Sequence, residues 1–306
     1  MDDRIVLWHK PKAKKVVMIA GWRQWADAGS ISSELPGYII EKTGAQLIGQ
    51  IDARDCYLFQ LPGTHHFLRP QIKLVDGYRS EMETRHNQIF YTGDDDQGLA
   101  IFLGDEPHLN GELYADLFFS AVEELGVTRV AAVGGVYGPV PYDKDREVSC
   151  VYSLPEMKEE LTQYAVRFSN YEGGATIGTY LAHRAEGRDL AFTALYAFVP
   201  AYDFTELSDN LRGMQIETDY KAWYDILRRL VHMFGLRWDF ADLQRKSAEL
   251  IHAVDANIEG LEQQFTRPQV RDYLAKLAQD FAEQPFAPLS DVWEQGLEDI
   301  LDDLDV

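Results

Sequence analysis

Apolar residues fall along the first two thirds of the chain in short unbroken runs, alternating with stretches of helical spacing. The runs Val16 to Ala20, Leu99 to Leu103, Arg129 to Val136 and Leu190 to Val199 have the continuous apolar character of strands covered on both faces of a parallel sheet. Between them, Ile31, Leu35, Ile39 and Ile40 space a helix that reaches Lys42, and Pro36 is expected to kink it or delay its start. Leu113, Leu117, Phe118, Ala121, Val122 and Leu125 space a second helix capped by Asn110, and Ile177, Leu181 and Ala185 a third. Gly44, Gly126 and Gly187 close the three. Gln46 to Ile51, Ile89 to Tyr91 and Val148 to Tyr152 predict further strands, and Leu154 to Tyr164 a short helix. The order strand, loop, helix, strand from Leu99 to Val136 predicts a right-handed parallel crossover.

Residues 55 to 86 interrupt this alternation. Tyr57-Leu58-Phe59 is compatible with a short strand, but Pro62, Gly63, Pro70 and Gly77 divide the region into loops, with Arg69-Pro70 and Asp76-Gly77 as turns. From Asp219 the pattern becomes helical alone. Trp223, Ile226, Leu227, Leu230, Val231 and Phe234 form one stripe. Phe240 to Phe265 carries apolar residues at spacings of three and four, as a coiled coil does. Two more helices follow, from Pro268 to Phe281 and from Ser290 through Leu304. The expected division is an α/β core domain over 1–212 and a helical C-terminal region over 213–306, a cap or arm.

Several expected strands end in glycine, an acid or proline where the next helix begins. These loops are Gly21 to Gly29, Gly104 to Pro107, Gly134 to Tyr142 and Pro200 to Tyr202, with Glu172 to Thr176 beside them. The carboxyl edge of an open α/β sheet is the usual place for a ligand. Gly134, Gly135 and Gly138, with Pro139 and Pro141, are expected to break the central strand into a shaped loop. The candidate pocket is Asp27, Arg69, Glu106, Gly134, Gly135, Pro141, Tyr142, Glu172 and Tyr202. In an enzyme Asp27 or Glu106 would be the acid or base, Arg69 an anion clamp and Tyr142 a donor. Structural roles compete at each: Asp27 as a helix cap, Arg69 in a turn ion pair, Glu106 bonding its own loop, Tyr142 in packing.

Composition narrows the function. Of 306 residues 46% are hydrophobic, ample for a packed core, and the formal net charge is -21. A chain this acidic repels phosphate backbones, which argues against nucleic acid. From Ala241 onward 15 acids face 5 bases, either a solvated helical surface or a face for a basic partner. No signal region or run long enough to span a bilayer is present, so a cytoplasmic protein is expected. Cys56 and Cys150 have no ligand spacing and read as buried thiols. The adjacent pair His65-His66 is a poor chelate, and no metal or cofactor is called for. There is no phosphate-binding Gly-Lys-Ser/Thr loop, no dinucleotide fingerprint, no Gly-x-Ser-x-Gly elbow and no His-Glu-x-x-His helix. Asp94-Asp95-Asp96 lacks the spacing of a calcium loop.

The order of the loops carries a family pattern. Gly21 with Trp25-Ala26-Asp27-Ala28-Gly29, Arg69-Pro70, Asp76-Gly77, Gly104-Asp105-Glu106-Pro107, the Gly/Pro loop ending at Pro141, Glu172-Gly173-Gly174 and Pro200-Ala201-Tyr202 resemble the proteasome assembly chaperone 2 family. The resemblance implies a three-layer α/β sandwich with a mostly parallel central sheet, like that of nucleoside phosphorylases, plus a C-terminal helical region. It also implies homo-oligomers, trimers among them, and no established reaction. Many relatives carry His-Thr-Arg-Pro after the last loop proline; here Tyr142-Asp143-Lys144-Asp145 follows Pro141. Proteasome-docking relatives end in a hydrophobic residue, tyrosine and one more residue, whereas this chain ends Asp303-Leu304-Asp305-Val306, which argues against that docking mode. The expected function is a non-enzymatic oligomeric assembly-chaperone-like or scaffold protein. The alternative is a small-molecule binder or an uncharacterised enzyme using the carboxyl-edge loops.

Overall fold

The apolar runs form the middle of a mixed nine-stranded sheet. The computed structural model describes residues 3–23, 25–60, 68–205, 213–264 and 269–286. In chain order the elements are β1 (Ile5–Leu7), β2 (Lys15–Arg23), α1 (Ile31–Thr43), β3 (Gln46–Ile51), β4 (Gln71–Val75), β5 (Tyr78–Glu83), β6 (Gln88–Gly93), β7 (Gln97–Asp105) and α2 (Gly111–Glu124). They continue with β8 (Val127–Gly138), β9 (Val148–Tyr152), α3 (Met157–Leu161), α4 (Ile177–Glu186), β10 (Ala191–Tyr202), β11 (Met214–Gln215), α5 (Tyr220–Phe234), α6 (Ala241–Gln264) and α7 (Gln269–Asp280). The strand order is β1-β3-β6-β7-β2-β8-β10-β11, with β9 also on β10. β7, β2, β8 and β10 are parallel; antiparallel strands flank them on both sides. The chain is therefore an α/β sandwich whose sheet is parallel at its centre. β7 and β8, expected as one crossover unit, are parallel but lie on either side of β2.

Alternation along the parallel strands feeds two cores. Val17, Ile19, Leu99, Ile101, Ala131, Val133 and Leu195 face α1, α5 and the helices beyond them. Met18, Ala20, Ala100, Phe102, Val130, Ala132 and Phe192 face α2 and α4. Both faces are covered, which is why these strands read as continuous apolar runs. Helix α5 buries Ala222, Trp223, Ile226 and Leu230 in the same core as α1, and α6 packs on it through Leu243, Val254 and Ile258. The expected last helix, from Ser290, lies outside the described residues.

Five local expectations are corrected. Gly134 and Gly135 do not end the central strand, because β8 continues to Gly138. Tyr57 to Phe59 form no strand; a short 3-10 turn at Arg54–Cys56 leads into them. Residues 71–83 form a hairpin, with Asp76 and Gly77 both at positive φ, as a tight Asp-Gly turn requires. Asn110 stands at the start of α2, but its side chain donates to the Asp55 carbonyl at 2.7 Å instead of capping the helix. Helix α1 runs through Pro36 without a break. Proline offers no N–H to the Ser32 carbonyl one turn earlier, and that carbonyl rests against Gly21 of β2.

A Cβ placed on Gly21 would sit 2.1 Å from the Ser32 oxygen and 2.7 Å from Pro36 Cγ. Gly21→Ala is therefore expected to push α1 off the sheet and cost about 1–3 kcal/mol, read as a lower urea midpoint with an unchanged far-ultraviolet spectrum. An unchanged midpoint would mean that this contact relaxes freely.

Candidate functional site

The carboxyl ends of β2, β7, β8 and β10 meet around the segment Trp25 to Gly29. The Ala26 carbonyl accepts from Gly135 N at 2.7 Å, so this segment lies against β8 almost as another strand. A Cβ on Gly135 would be 2.1 Å from the Ala28 oxygen, and one on Gly134 would meet the Tyr196 ring at 2.8 Å. These glycines serve close approach and not a turn.

Asp27 Oδ1 accepts from the backbone N–H groups of Ser32 and Ser33 at 2.8 and 2.9 Å. It thus caps the first turn of α1 across the intervening 3-10 turn. Burial raises its pKa, against the pull of the Ser33 and Ser32 bonds. Glu106 has both oxygens engaged: Oε1 accepts from Ile177 N at 3.1 Å, at the start of α4, and Oε2 from Trp25 N at 3.1 Å. Burial likewise raises its pKa, partly offset by those two bonds. Beside it, Thr176 Oγ1 accepts from Thr179 N at 3.1 Å and contacts the Tyr196 hydroxyl. The space left between Trp22, Ala26, Gly134, Ile177 and Tyr196 is about 10 Å³, room for about one water. A groove of about 880 Å³ opens instead at the amino ends of the strands, lined by Lys42, Asp96, Gln97, Gly235 and Trp238 among others.

The remaining candidates disperse. The Pro141 and Tyr142 carbonyls accept from Arg146 Nη1 at 3.3 and 2.9 Å, and the Tyr142 hydroxyl donates to Asp255 of α6 at 2.5 Å. Tyr202 donates to the Val140 carbonyl at 2.7 Å and stacks on Phe204. Arg69 bonds the Gln60 side chain and lies 5.0 Å above the Phe59 ring, a stacking contact in place of the expected turn ion pair. Glu172 is exposed. Asp27, Glu106, Gly134 and Gly135 are thus brought together around the segment Trp25 to Gly29, although of the candidates Gly134 alone lines the small cavity; Arg69, Tyr142 and Tyr202 make their contacts elsewhere. Cys150 is buried, its thiol pushed up to about 12. No metal-binding cluster occurs among the described residues; His65-His66 lies outside them.

Sequence reading missed two buried charge networks at this edge. Asp105, fully buried, accepts from Arg23 Nε and Nη2 at 3.0 and 2.8 Å, from Arg85 Nη1 at 3.1 Å and from His86 N at 2.9 Å. Arg146, also buried, pairs with Asp219 at 2.8 Å, and its backbone N–H reaches Asp225 at 2.7 Å. Lys221 Nζ joins Asp225 at 2.6 Å and also Asp145. Burial opposes ionisation of Asp145, but Lys221 outweighs it and lowers that pKa; burial raises that of Asp225 despite Lys221. The only sequence signal was the dense charge of Asp143 to Arg146 facing a helix that opens with Asp219 and Lys221.

All the carboxylates gathered at this edge are acceptors for the protein's own backbone or cations. Residues 21–257 match the model of the PAC2 family. The chain belongs to the PAC2 family. A PAC2 family protein of Streptomyces avermitilis is 23% identical, with TM-score 0.65 over 79% of this chain and 95% of its own. A proteasome-assembly chaperone homologue of Mycobacterium tuberculosis is 20% identical, with TM-score 0.66 over 78% and 94%. An archaeal proteasome activator of Pyrococcus furiosus is 18% identical, with TM-score 0.58 over 82% and 97%. At these identities the likeness is one of fold. No curated protein sequence matches.

Two outcomes test this PAC2 edge as a structural joint. Asp219→Ala strands Arg146 in the interior and is expected to cost about 3–5 kcal/mol, read from the urea midpoint. The second concerns pH. A carboxyl whose folded pKa lies above its ordinary value of 4.5, as for Glu106, adds stability that is complete below that pH and is lost as pH rises through the folded value. Glu106→Gln removes this share, so the decline of the unfolding midpoint above pH 4.5 should be shallower than in the wild type.

Proposed function

We propose that this PAC2 chain is a non-enzymatic, homo-oligomeric assembly-chaperone-like or scaffold protein of the cytoplasm that binds other proteins. The observation that carries the reading is Glu106, with both oxygens bound to backbone N–H groups. A general acid or base needs an oxygen within reach of a substrate proton, and the adjoining space is about 10 Å³. The same edge presents Trp25 and Tyr171, 66% and 73% exposed, and such aromatics are typical anchors of protein interfaces. Of the structurally similar proteins, that of Mycobacterium tuberculosis is a proteasome-assembly chaperone homologue and that of Pyrococcus furiosus an archaeal proteasome activator, which supports a protein partner. The 15 acids against 5 bases beyond Ala241 favour a basic surface on that partner, with the helical region 213–306 as the cap or arm that meets it. No helix among the described residues is long and apolar enough to cross a membrane.

Affinity capture with the full chain is expected to return a stoichiometric basic protein, released by salt. Failure to retain any protein at low ionic strength overturns the reading. The small-molecule alternative has one observation behind it, the two carboxyls of raised pKa, Asp27 and Glu106, at one edge. It would show as a thermal shift with a nucleoside, nucleotide or small acid that disappears in Asp27→Ala.

A further inference from the structure

The groove at the amino ends of the strands takes no part in the joints of the carboxyl edge. Three segments from distant parts of the chain wall it: the end of α1 at Lys42 and Thr43, the β6–β7 turn from Thr92 to Leu99, and the α5–α6 connection from Gly235 to Asp239. These walls are tied to one another, so the groove is preformed. Gln97 Nε2 donates to the Phe234 carbonyl at 2.6 Å, and Lys42 reaches from α1 to Asp242 of α6 at 2.7 Å. The volume of about 880 Å³ falls within the ~300–1,000 Å³ of ligand clefts. We infer that this groove binds a segment of a partner protein that carries arginine or lysine, its cations held by the ring of Trp238 and by the carboxylates of Asp94, Asp96 and Asp239.

Three observations select that occupant. The first is charge. Asp94, Asp96 and Asp239 line the groove against Lys42 and Arg237, and Lys42 is already held by Asp242. The backbone N–H groups of Gln97 and Asp96 donate to Asp94 Oδ1 at 2.8 and 2.9 Å and lower its pKa, which keeps that carboxylate charged. Asp96 pairs with Lys14 on the open surface, a contact weak enough for a bound cation to exchange. The second is the pair of helix ends. Both α1 and α5 finish at this groove, and each C-terminus adds the equivalent of about half a negative charge. An anion is therefore repelled and a cation drawn in. The third is the lining. Its apolar side chains are Leu99, Leu236 and Trp238, too few to cover an apolar ligand. Trp238 is half-buried, and its indole ring suits the guanidinium or ammonium of a basic side chain.

The inference rests on the protein-binding reading above and names the surface that meets the basic partner. Fluorescence anisotropy with a labelled peptide of alternating arginine and glycine, at low ionic strength, reads the site in the full chain. The wild type is expected to bind it. Trp238→Ala should weaken binding about fivefold, as loss of a cation–π contact implies, and Trp238→Phe should restore most of it; circular dichroism checks the fold. Asp94→Asn with Asp239→Asn removes two charges but keeps an oxygen for the backbone bonds each carboxylate accepts, and should also weaken binding about fivefold. Glu249→Gln with Glu259→Gln removes the same charge from exposed positions of α6 outside the groove and should change it by less than about twofold. No binding to the wild type, equal loss in the two paired variants, or an unaffected Trp238→Ala overturns the proposal. Partner capture separates the groove from the chaperone reading. A basic protein kept by the wild type and lost by Trp238→Ala supports both. One kept equally by the two overturns the groove and leaves the chaperone reading standing; peptide binding with no protein captured does the reverse.

Discussion

The structure turns on the close approach of one backbone segment, Ala26 to Gly29, to strand β8. Ala26 bonds Gly135, Asp27 caps α1, and the Gly29 carbonyl accepts from Asp219 N at 3.0 Å and Trp223 Nε1 at 2.9 Å at the head of α5. Gly29 itself is at positive φ, with Asp219 Cβ 2.8 Å from where a side chain would begin. Sheet, α1 and α5 are therefore fixed to one another through a few main-chain contacts that exclude side chains. Interiors packed this tightly transmit displacement instead of absorbing it, so a Cβ at Gly21 or Gly135 would be felt across both helices.

Around this junction, charge is spent on joining elements. Glu106 ties the Trp25 loop to α4, Asp105 gathers Arg23, Arg85 and His86, and Arg146 with Asp219 locks the Gly/Pro loop under α5. Buried ion pairs contribute little net stability over apolar packing but are costly to break. Their effect is to specify how loops from distant parts of the chain meet. The edge that results has these carboxylates satisfied within the chain and the aromatic rings of Trp25 and Tyr171 outward.

The hairpin follows the opposite rule. It forms a two-stranded sheet of its own and exposes Ile72, Leu74, Val75 and Tyr78. The acidic helices, the aromatic carboxyl edge and the hairpin are then three surfaces of different chemistry, suited to different contacts.

Continuous apolar runs could be read as central strands because burial on both faces leaves no polar alternation to confuse the period. The helices announced themselves through 3.6-residue spacing and glycine ends, and the loop order carried the family. Other features depended on distance in space. Gly134 and Gly135 look like turn formers until the Ala28 carbonyl is seen beside them. Arg146 and Asp219 are 73 residues apart and give no local sign of pairing. Hairpin 71–83 was hidden because its charged residues mask the alternation, although Asp76-Gly77 marked its turn. Local sequence fixes which backbone each segment prefers; which carboxylate is free for chemistry and which is consumed as a cap or clamp depends on groups that only the folded chain brings within hydrogen-bond reach.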